Sequence, residues 1–390
     1  MNKELEVLKA YKYKIYPTKT QITLIEKHFG STRFLYNYFL DYRQKEYAKG
    51  NGKVSYNITQ AELTKLKKLE EYKWLNECGS QSLQMALRSL DNAFGKFFKK
   101  QGGYPKFKSK KHTHQSFTAP QNIKVANNRV YLPKFTKDGL KVKLHREIPE
   151  GATLKQATIS RQSGTSLENN QYFISILVDD NISISKPTKA KTAVGLDMGI
   201  THHIITSDGV KYPNNRHYNK SQKKLLKLQR RLSKKQKGSN NRQKAKLRVQ
   251  KLHTKVTNQR KDNLHKISNE ITNQYDIICL ETLNVKGMIK NHKLAKSIAD
   301  VAWSEFMRQL EYKASWRGKT IIKIDKWFPS SQICSYCGAS TGKKPLNIRA
   351  FDCPHCKKKN IDRDINAAVN IRNYGLGQVD NRNTVGTIGI

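Results

Sequence analysis

Four of the six cysteines in this chain occur within one short stretch. They follow the pattern Cys-x2-Cys-x15-Cys-x2-Cys, at Cys334, Cys337, Cys353 and Cys356. Two tight turns, each with a Cys-x2-Cys pair, can present four thiolates to one tetrahedral zinc ion. Such a site is closed and structural, because the protein fills every coordination position. The sequence therefore predicts a zinc ribbon over residues 327–360.

The chain also carries a strong excess of positive charge. Its 390 residues include 74 Lys or Arg against 30 Asp or Glu, which gives a formal net charge of +44. This balance implies a polyanionic partner, and nucleic acid is the first candidate. An anionic membrane is the alternative, but no apolar run approaches the roughly 20 residues of a spanning helix, and no signal peptide is recognisable. We therefore expect a cytoplasmic, nucleoid-associated protein with no membrane partner.

The first half of the chain combines a helical region with short strands. Residues 18–101 show helical periodicity, most clearly from Ser80 to Lys100, where Leu and Phe recur at three- and four-residue steps. Short alternating runs flank this region in 1–17 and 102–185. They predict a small antiparallel barrel or sandwich into which the helical domain is inserted.

Two segments concentrate the positive charge. The loop GYPKFKSK interleaves Lys106 and Lys108 with aromatic residues, which suits phosphate contacts and base stacking, although a solvated basic loop is the alternative. No acidic residue occurs between Asp208 and Asp262, and the apolar periodicity there predicts an antiparallel helical pair over 219–274. We interpret this pair as a nucleic-acid contact with strong salt dependence. Its candidate contact residues are Arg230, Arg231, Lys234 and Lys235.

Three acidic residues occur where a metal site could form. Asp197 follows a short buried strand, and Glu281 ends the apolar run Ile277–Leu280, which is typical of a central parallel strand. A strand, a helical crossover and a parallel strand form a βαβ-like unit in which these two acids can be neighbours. Asp364 lies in the first turn of a helix that follows the cysteines, and Asp362 is better placed to cap that helix.

These carboxylates predict a catalytic metal site. Carboxylates that crowd together raise one another's pKa unless divalent cations neutralise them, and hard oxygen ligands favour Mg²⁺ or Mn²⁺. Two such ions about 4 Å apart can activate a water molecule and stabilise the leaving oxygen in phosphodiester cleavage. The sequence thus predicts Asp197, Glu281 and Asp364 as a catalytic triad.

Several motifs together resemble one family. GLDMGI, LETLNV, FPSSQICSYCG, CPHC and DRDINAAVNIRNYG are similar to the RuvC nuclease and zinc-ribbon motifs of TnpB, the transposon-encoded OrfB family related to type V CRISPR effectors. The resemblance spans nearly the whole chain. It implies an RNase H-like (RuvC) α/β nuclease domain over 190–326 and 361–390, interrupted by the zinc ribbon. It also implies a wedge-like β-barrel from 1–17 and 102–185, with a helical recognition domain over 18–101.

The resemblance implies a function that spacing alone cannot show. Proteins of this family bind a noncoding guide RNA from the transposon end, recognise a short motif beside the target, and cut double-stranded DNA paired to the guide. On this analogy Gln81 and Gln84 are candidates for contacting the adjacent motif, because Gln can hydrogen-bond base edges. The expected cofactors are Mg²⁺ or Mn²⁺, a structural Zn²⁺ and the guide RNA.

Two other functions stay open at this point. A protein of the same architecture could use RNA to occupy DNA as a regulator without cutting it, although the intact acidic triad argues against this. A guide-independent nuclease or recombinase that acts on DNA structure would cut as purified, RNA-free protein. Metal-dependent cleavage tests the first alternative, and RNA dependence tests the second.

Overall fold

The computed structural model describes residues 7–110, 114–135, 137–162, 170–181, 192–292, 294–345 and 347–385. They fall into two compact units, 7–181 and 192–385. The spacer SISKPTKAKT, which the sequence suggests as a boundary, lies outside the described residues except for its last threonine. No helix in the described part of the chain is long and apolar enough to span a membrane.

The first unit contains an antiparallel sheet of seven strands. They are β1 (Leu8–Ile15), β2 (His114–Ala119), β3 (Lys124–Ala126), β4 (Arg129–Tyr131), β5 (Leu140–Lys143), β6 (Thr153–Gln162) and β7 (Gln171–Asp179). Their order is β2-β6-β7-β1-β5-β4-β3. This order does not close on itself among the described strands, and closure into a barrel stays a prediction.

The opening strand lies inside this sheet rather than at its edge. β1 pairs with β7 from Leu8↔Asp179 to Ile15↔Tyr172, and its last two residues also pair with β5. Tyr11, Tyr13 and Ile15 alternate with lysines, so one face of β1 enters the core while the other stays exposed. The chain therefore starts the sheet, leaves it for the helices, and returns to complete it.

Three α-helices lie between β1 and β2 in the chain. They are α1 (Lys19–Ala48), α2 (Tyr56–Leu66) and α3 (Ser80–Phe98), with a 3-10 helix at Glu70–Glu77. A capping box starts α1, because the Gln21 N–H donates to Thr18 Oγ1 and the Thr18 N–H donates to Gln21 Oε1.

The structure differs from the sequence prediction in the length of α1. The apolar periodicity predicts one helix that runs from Thr18 to about Phe29 and a further helical segment from Phe34 to Tyr47, whereas α1 is one helix of 30 residues. Its first half buries Ile25 and Phe29 against the sheet, and its second half buries Leu35 and Phe39 against α3. Burial in both cores outweighs the helix-weakening effect of Gly30 between them.

The second unit contains a mixed sheet of five strands. They are β8 (Ala193–Met198), β9 (His202–Thr206), β10 (Lys211–Pro213), β11 (Ile277–Glu281) and β12 (Thr320–Ile324), in the order β10-β9-β8-β11-β12. β8, β9 and β10 are antiparallel neighbours, whereas β11 runs parallel to both β8 and β12. The predicted βαβ-like relation of β8 and β11 is confirmed.

Helices cover both faces of this sheet. The helices are α4 (His217–Ser233), α5 (Asn240–Gln274), α6 (Val285–Met288), α7 (Ala295–Val301), α8 (Trp303–Trp316) and α9 (Arg363–Val385). Apolar residues of α5 and α8, among them Leu264 and Phe306, pack on one face, and Ile371 of α9 packs on the other.

The predicted pair of basic helices is α4 and α5, and its apolar seam includes Leu225 and Leu252. Shorter elements are a 3-10 helix at Ser330–Gln332 and the strands β13 (Ala350–Phe351) and β14 (Ile361–Asp362).

Candidate functional site

The alternation of side chains along β8 and β11 sends two acids toward α9. Val194 and Leu196 of β8 belong to the core beneath α5 and α8. The intervening positions face the other way, and Asp197 is one of them. In β11, Cys279 packs with Ile371 of α9, and Glu281 lies two residues further along the same face.

Strand register places these two acids side by side. The last paired positions of β8 and β11 are Leu196 and Leu280, so Asp197 and Glu281 follow them at the carboxyl ends of adjacent parallel strands. In open sheets with parallel strands, ligands bind at this end of the strands. The neighbouring position of the two acids, which the sequence predicts, is confirmed.

Two glycines allow α9 to lie directly on the sheet. A Cβ at Gly195 would lie 1.9 Å from the carbonyl oxygen of Ala368, so only hydrogen fits between β8 and the helix backbone. A Cβ at Gly375 would lie 2.6 Å from the Sγ of Cys279. The helix therefore approaches β8 and β11 more closely than any larger residue would permit.

This close packing brings the first turn of α9 to the carboxyl ends of β8 and β11, where Asp197 and Glu281 lie. We call this end of the sheet the acidic edge. The Asp362 Oδ1 accepts hydrogen bonds from the backbone N–H groups of Asp364 and Ile365, both at 3.0 Å, so Asp362 caps the helix as predicted. Lys211 pairs with the same carboxylate. Asp364 is left half-exposed, with the guanidinium of Arg349 3.6 Å from its Oδ1.

The charges of the acids affect the ionisation of Asp197. Burial, together with the charges of Glu281 and Asp364, raises the pKa of Asp197 to about 8, and the charge of Arg363 opposes this rise. Burial also raises the pKa of Glu281, against a lowering by its hydrogen bond from Ser330. Cations that neutralise this cluster would favour the ionised carboxylates.

Sequence reasoning missed the residues that support this edge. The Ser330 Oγ donates to Glu281 Oε1 at 2.6 Å and fixes the carboxylate. Asn370 of α9 donates to the carbonyl oxygens of Ser330 and Ile333 at 2.8 and 2.7 Å, and Asn366 donates to Ile333 at 2.7 Å. The only sequence signal was the spacing of the two asparagines, which places them on one face of α9.

The four predicted zinc ligands come together. Their four sulfur atoms all lie within 4.8 Å of one another. Among the described residues, no other group of three or more His, Cys, Asp or Glu could hold a metal ion in this way. The Sγ atoms of Cys334 and Cys356 are 3.8 Å apart, and those of Cys337 and Cys353 are 3.7 Å apart. The carboxylates of the acidic triad do not form a second such group in the described part of the chain.

Each cysteine pair sits in a similar turn. The Gly338 N–H donates to the carbonyl oxygen of Cys334, and the Lys357 N–H donates to that of Cys353. Gly338 and Lys357 both have positive φ, at 73° and 61°. Two equivalent turns and a four-sulfur donor set fit a tetrahedral zinc ion. Because the Ser335 N–H donates to Asn366 Oδ1, the first turn is attached to α9 close to Asp364.

We expect Cys353→Ser to remove the zinc. Cys353 is buried and its Sγ lies among the other three, so a hydroxyl at this position breaks a closed thiolate set. Metal analysis of the purified protein should show a fall from about one zinc ion per chain to a small fraction of that value. Cys78→Ser is the matched control, because Cys78 is also buried but lies outside the cluster. Equal zinc contents in both variants would contradict this assignment.

The predicted nucleic-acid residues occupy exposed or partly exposed positions. Arg230, Arg231 and Lys234 line a shallow basic groove on α4, and Lys235 is exposed beside it. Lys106 is exposed, whereas Lys108 is held to α1, with its Nζ 3.9 Å from the centre of the Tyr36 ring and its backbone N–H bonded to Asn37. Gln81 and Gln84 are half-exposed on α3. The geometry leaves their binding roles as predictions.

Comparison with known proteins identifies the family. The chain is 39% identical to a protein of Streptomyces pristinaespiralis named "Putative RNA-guided DNA endonuclease", over 95% of this chain and 90% of that protein. It belongs to the TnpB (OrfB) family. A second TnpB relative, "Putative RNA-guided DNA endonuclease InsQ" of Escherichia coli strain K12, is 32% identical over 93% of this chain and 91% of its own length.

Family models cover separate parts of the TnpB sequence. Residues 173–292 match OrfB_IS605, described as a probable transposase, and residues 303–371 match the Cas12f1-like TNB domain. Residues 1–53 match a helix-turn-helix model of the same family, although the described part of this range forms β1 and the long helix α1.

A solved structure shares the fold. The chain of a cryo-EM structure entitled "Cas12f1-sgRNA-target DNA complex" superposes with a TM-score of 0.54 at 16% identity, over 90% of this chain and 81% of that chain. The two chains are therefore alike in fold.

Proposed function

We propose that this chain is a transposon-encoded, RNA-guided DNA endonuclease that cuts its target beside a short adjacent motif. The observation that carries the proposal is the meeting of Asp197, Glu281 and Asp364 at one edge of the sheet, where their charges raise the pKa of Asp197. The relatives that cover nearly the whole chain are named as endonucleases of this kind.

We assign the parts of the chain accordingly. The five-stranded sheet with α9 on one face is the RNase H-like, RuvC-type nuclease domain, over 190–326 and 361–390. The cysteine segment 327–360 is its zinc ribbon. The seven-stranded sheet is the wedge-like domain, and the inserted helices over 18–101 form the recognition domain. The strand order and the insertion point of the helices support these assignments.

The donor chemistry of the acidic edge fits Mg²⁺ or Mn²⁺. Its three ligands are carboxylates, which hard divalent cations prefer, and none of the three residues is fully enclosed. Bound there, the cations would supply Lewis-acid stabilisation of the attacking and leaving oxygens of a phosphodiester. The chain's own side chains orient the carboxylates. Ser330 donates a hydrogen bond to Glu281, and Asp362 caps α9, so the carboxylate of Asp364 is not needed as the cap.

Basic surfaces of both units are suited to the guide RNA and its heteroduplex with DNA. The exposed cations of α4 can bind phosphates without reading sequence. The loop with Lys106 and Lys108 offers the same chemistry in the first unit. Gln81 and Gln84, in the first turns of α3, are our candidates for reading the adjacent motif.

Removal of divalent cations tests the proposal. The purified ribonucleoprotein should cut a matching duplex in Mg²⁺ or Mn²⁺, and EDTA should abolish the cutting because it removes the cations that would stabilise the attacking and leaving oxygens. RNA retention in EDTA, measured by gel shift, serves as the control. Cutting that continues undiminished in EDTA would contradict a carboxylate metal site. RNA-guided DNA binding without any cutting would support the silent regulator instead.

Ser330→Ala should reduce cutting without abolishing it. The substitution removes the only described side-chain hydrogen bond that fixes Glu281, while its backbone bond to Asn370 is kept. We expect a loss of about tenfold in the single-turnover rate, as is typical when a partner that orients a metal ligand is removed. Ser331→Ala, at the next position of the same 3-10 helix, is the matched control. Equal rates in the two variants would show that Ser330 does not position Glu281.

A further inference from the structure

A cavity of about 590 Å³ lies in the first unit between the last turns of α1 and α3. Its volume is in the range of sites that take small organic groups. The wall is aromatic: the ring of Tyr104 meets those of Phe94 and Phe97 edge-on, with centroids 5.6 and 5.3 Å apart. Tyr47 and Phe98 also line it, with 78% and 63% of their surfaces exposed. Such exposure of large rings is costly in water unless something stacks on them.

One buried cation in this wall has an unused donor. Arg43 is 8% exposed and lies 5.2 Å from the centre of the Phe94 ring. Its Nη2 donates to Asp91 at 3.0 Å, but its buried Nε has no hydrogen-bond partner among the described residues. Gln44 also lines the cavity and adds an amide. The lining thus combines aromatic faces with a guanidinium, an amide and a carboxylate, which are the groups that recognise the edge of a nucleobase.

The surroundings of the cavity are positively charged. Lys53 lines it, and Lys96, Lys99 and Lys100 are exposed at the same end of α3. Cations around an aromatic pocket suit a ligand with a flat apolar body and an anionic backbone. A free aromatic metabolite would need no such cationic rim.

We propose that this cavity takes an unstacked base of a single-stranded segment of the bound RNA. Loops and bulges of RNA present splayed bases that stack on aromatic side chains, whereas the target DNA is paired along the guide. The inference rests on the proposed function, because that function supplies the RNA. The aromatic rings stack on the base, the side chains of Arg43 and Gln44 offer donors to its edge, and the lysines contact the flanking phosphates.

Gly95 permits a direct test of the cavity. This residue lines the cavity in the last turns of α3, and a Cβ at its position would meet no atom within 4 Å. Gly95→Leu therefore adds a branched side chain at the wall of the cavity, where its Cβ has room. Gly95→Ala is the matched control, since it gives the same gain in helix propensity but leaves most of the cavity open.

We expect Gly95→Leu to bind the copurifying guide RNA about tenfold more weakly than Gly95→Ala, as the loss of one stacked base predicts. Thermal unfolding should show that both variants are at least as stable as the unchanged protein. Ultraviolet cross-linking followed by mass spectrometry should place a ribonucleotide on the aromatic residues of the cavity in Gly95→Ala.

Two results would overturn the inference. Equal RNA affinity of Gly95→Leu and Gly95→Ala would show that no base enters the cavity, and a cross-linked deoxyribonucleotide would show that its occupant is DNA. Both comparisons use proteins that bind RNA and cut DNA. A failure of the unchanged protein to bind RNA or to cut would instead contradict the proposed function, so the two failures are distinguishable.

Discussion

Asp197→Ala is expected to abolish DNA cutting while leaving RNA binding nearly unchanged. The charges of both Glu281 and Asp364 act on Asp197, so its removal should break the metal site. We expect the cleavage rate to fall by about a thousandfold or more. The fold should persist, because the substitution removes a carboxylate whose ionised form is disfavoured by burial and by its neighbours. Single-turnover assays measure the cleavage rate, and gel shifts with guide RNA measure RNA binding.

Asp262→Ala is the matched control for this prediction. It makes the same change of residue and charge in the same unit, but Asp262 is an exposed carboxylate of α5 that pairs with Lys266 one turn away. Its cutting should equal that of the unchanged protein, since exposed pairs of this kind contribute little. Loss of RNA binding together with cutting in Asp197→Ala would indicate misfolding, and retained cutting would exclude Asp197 from the catalytic site.

Gly195→Ala should destabilise the second unit severely. A methyl group at this position would lie 1.9 Å from the carbonyl oxygen of Ala368 and 2.7 Å from the backbone nitrogen of Arg372. Both are backbone atoms of α9, so the helix itself must move. We expect a loss of at least about 3 kcal/mol of unfolding free energy. Displacement of α9 also carries Asp364 away from Asp197, so any folded protein should have lost its cutting activity.

Gly377→Ala provides the comparison for this substitution. Gly377 lies in the same helix, two residues after Gly375, and a Cβ there would meet no atom within 4 Å. The change should leave the melting temperature equal or slightly raised, because alanine favours helix over glycine. Melting temperatures within a degree of each other for Gly195→Ala and Gly377→Ala would mean that α9 does not lie against β8 as described.

The sequence predicted those parts of the fold that depend on local pattern. The continuous apolar run before Glu281 predicted β11, and the apolar periodicity over 219–274 predicted the helical pair of α4 and α5. The spacing of the four cysteines was enough to predict that they form one cluster. In each case, the signal lies within a few residues of the element it specifies.

Other features depend on contacts between distant residues and could not be predicted in this way. The hydrogen bond from Ser330 to Glu281 joins positions 49 residues apart, and nothing in the local sequence marks it. Gly195 looked like an ordinary strand residue, since its role appears only when α9 is placed against it. The single helix α1 likewise exceeds its predicted segments because two separate cores bury its two halves.

The central claim is that RNA directs the cutting, and one measurement tests it most directly. The protein should be expressed with its flanking transposon DNA, its bound RNA sequenced, and the cleavage of a duplex matching that RNA measured in Mg²⁺. We predict one discrete RNA species, and a change in its terminal sequence should redirect cutting to a duplex that matches the new sequence. Cutting that ignores the RNA sequence, or that proceeds with RNA-free protein, would contradict the account and favour a guide-independent nuclease.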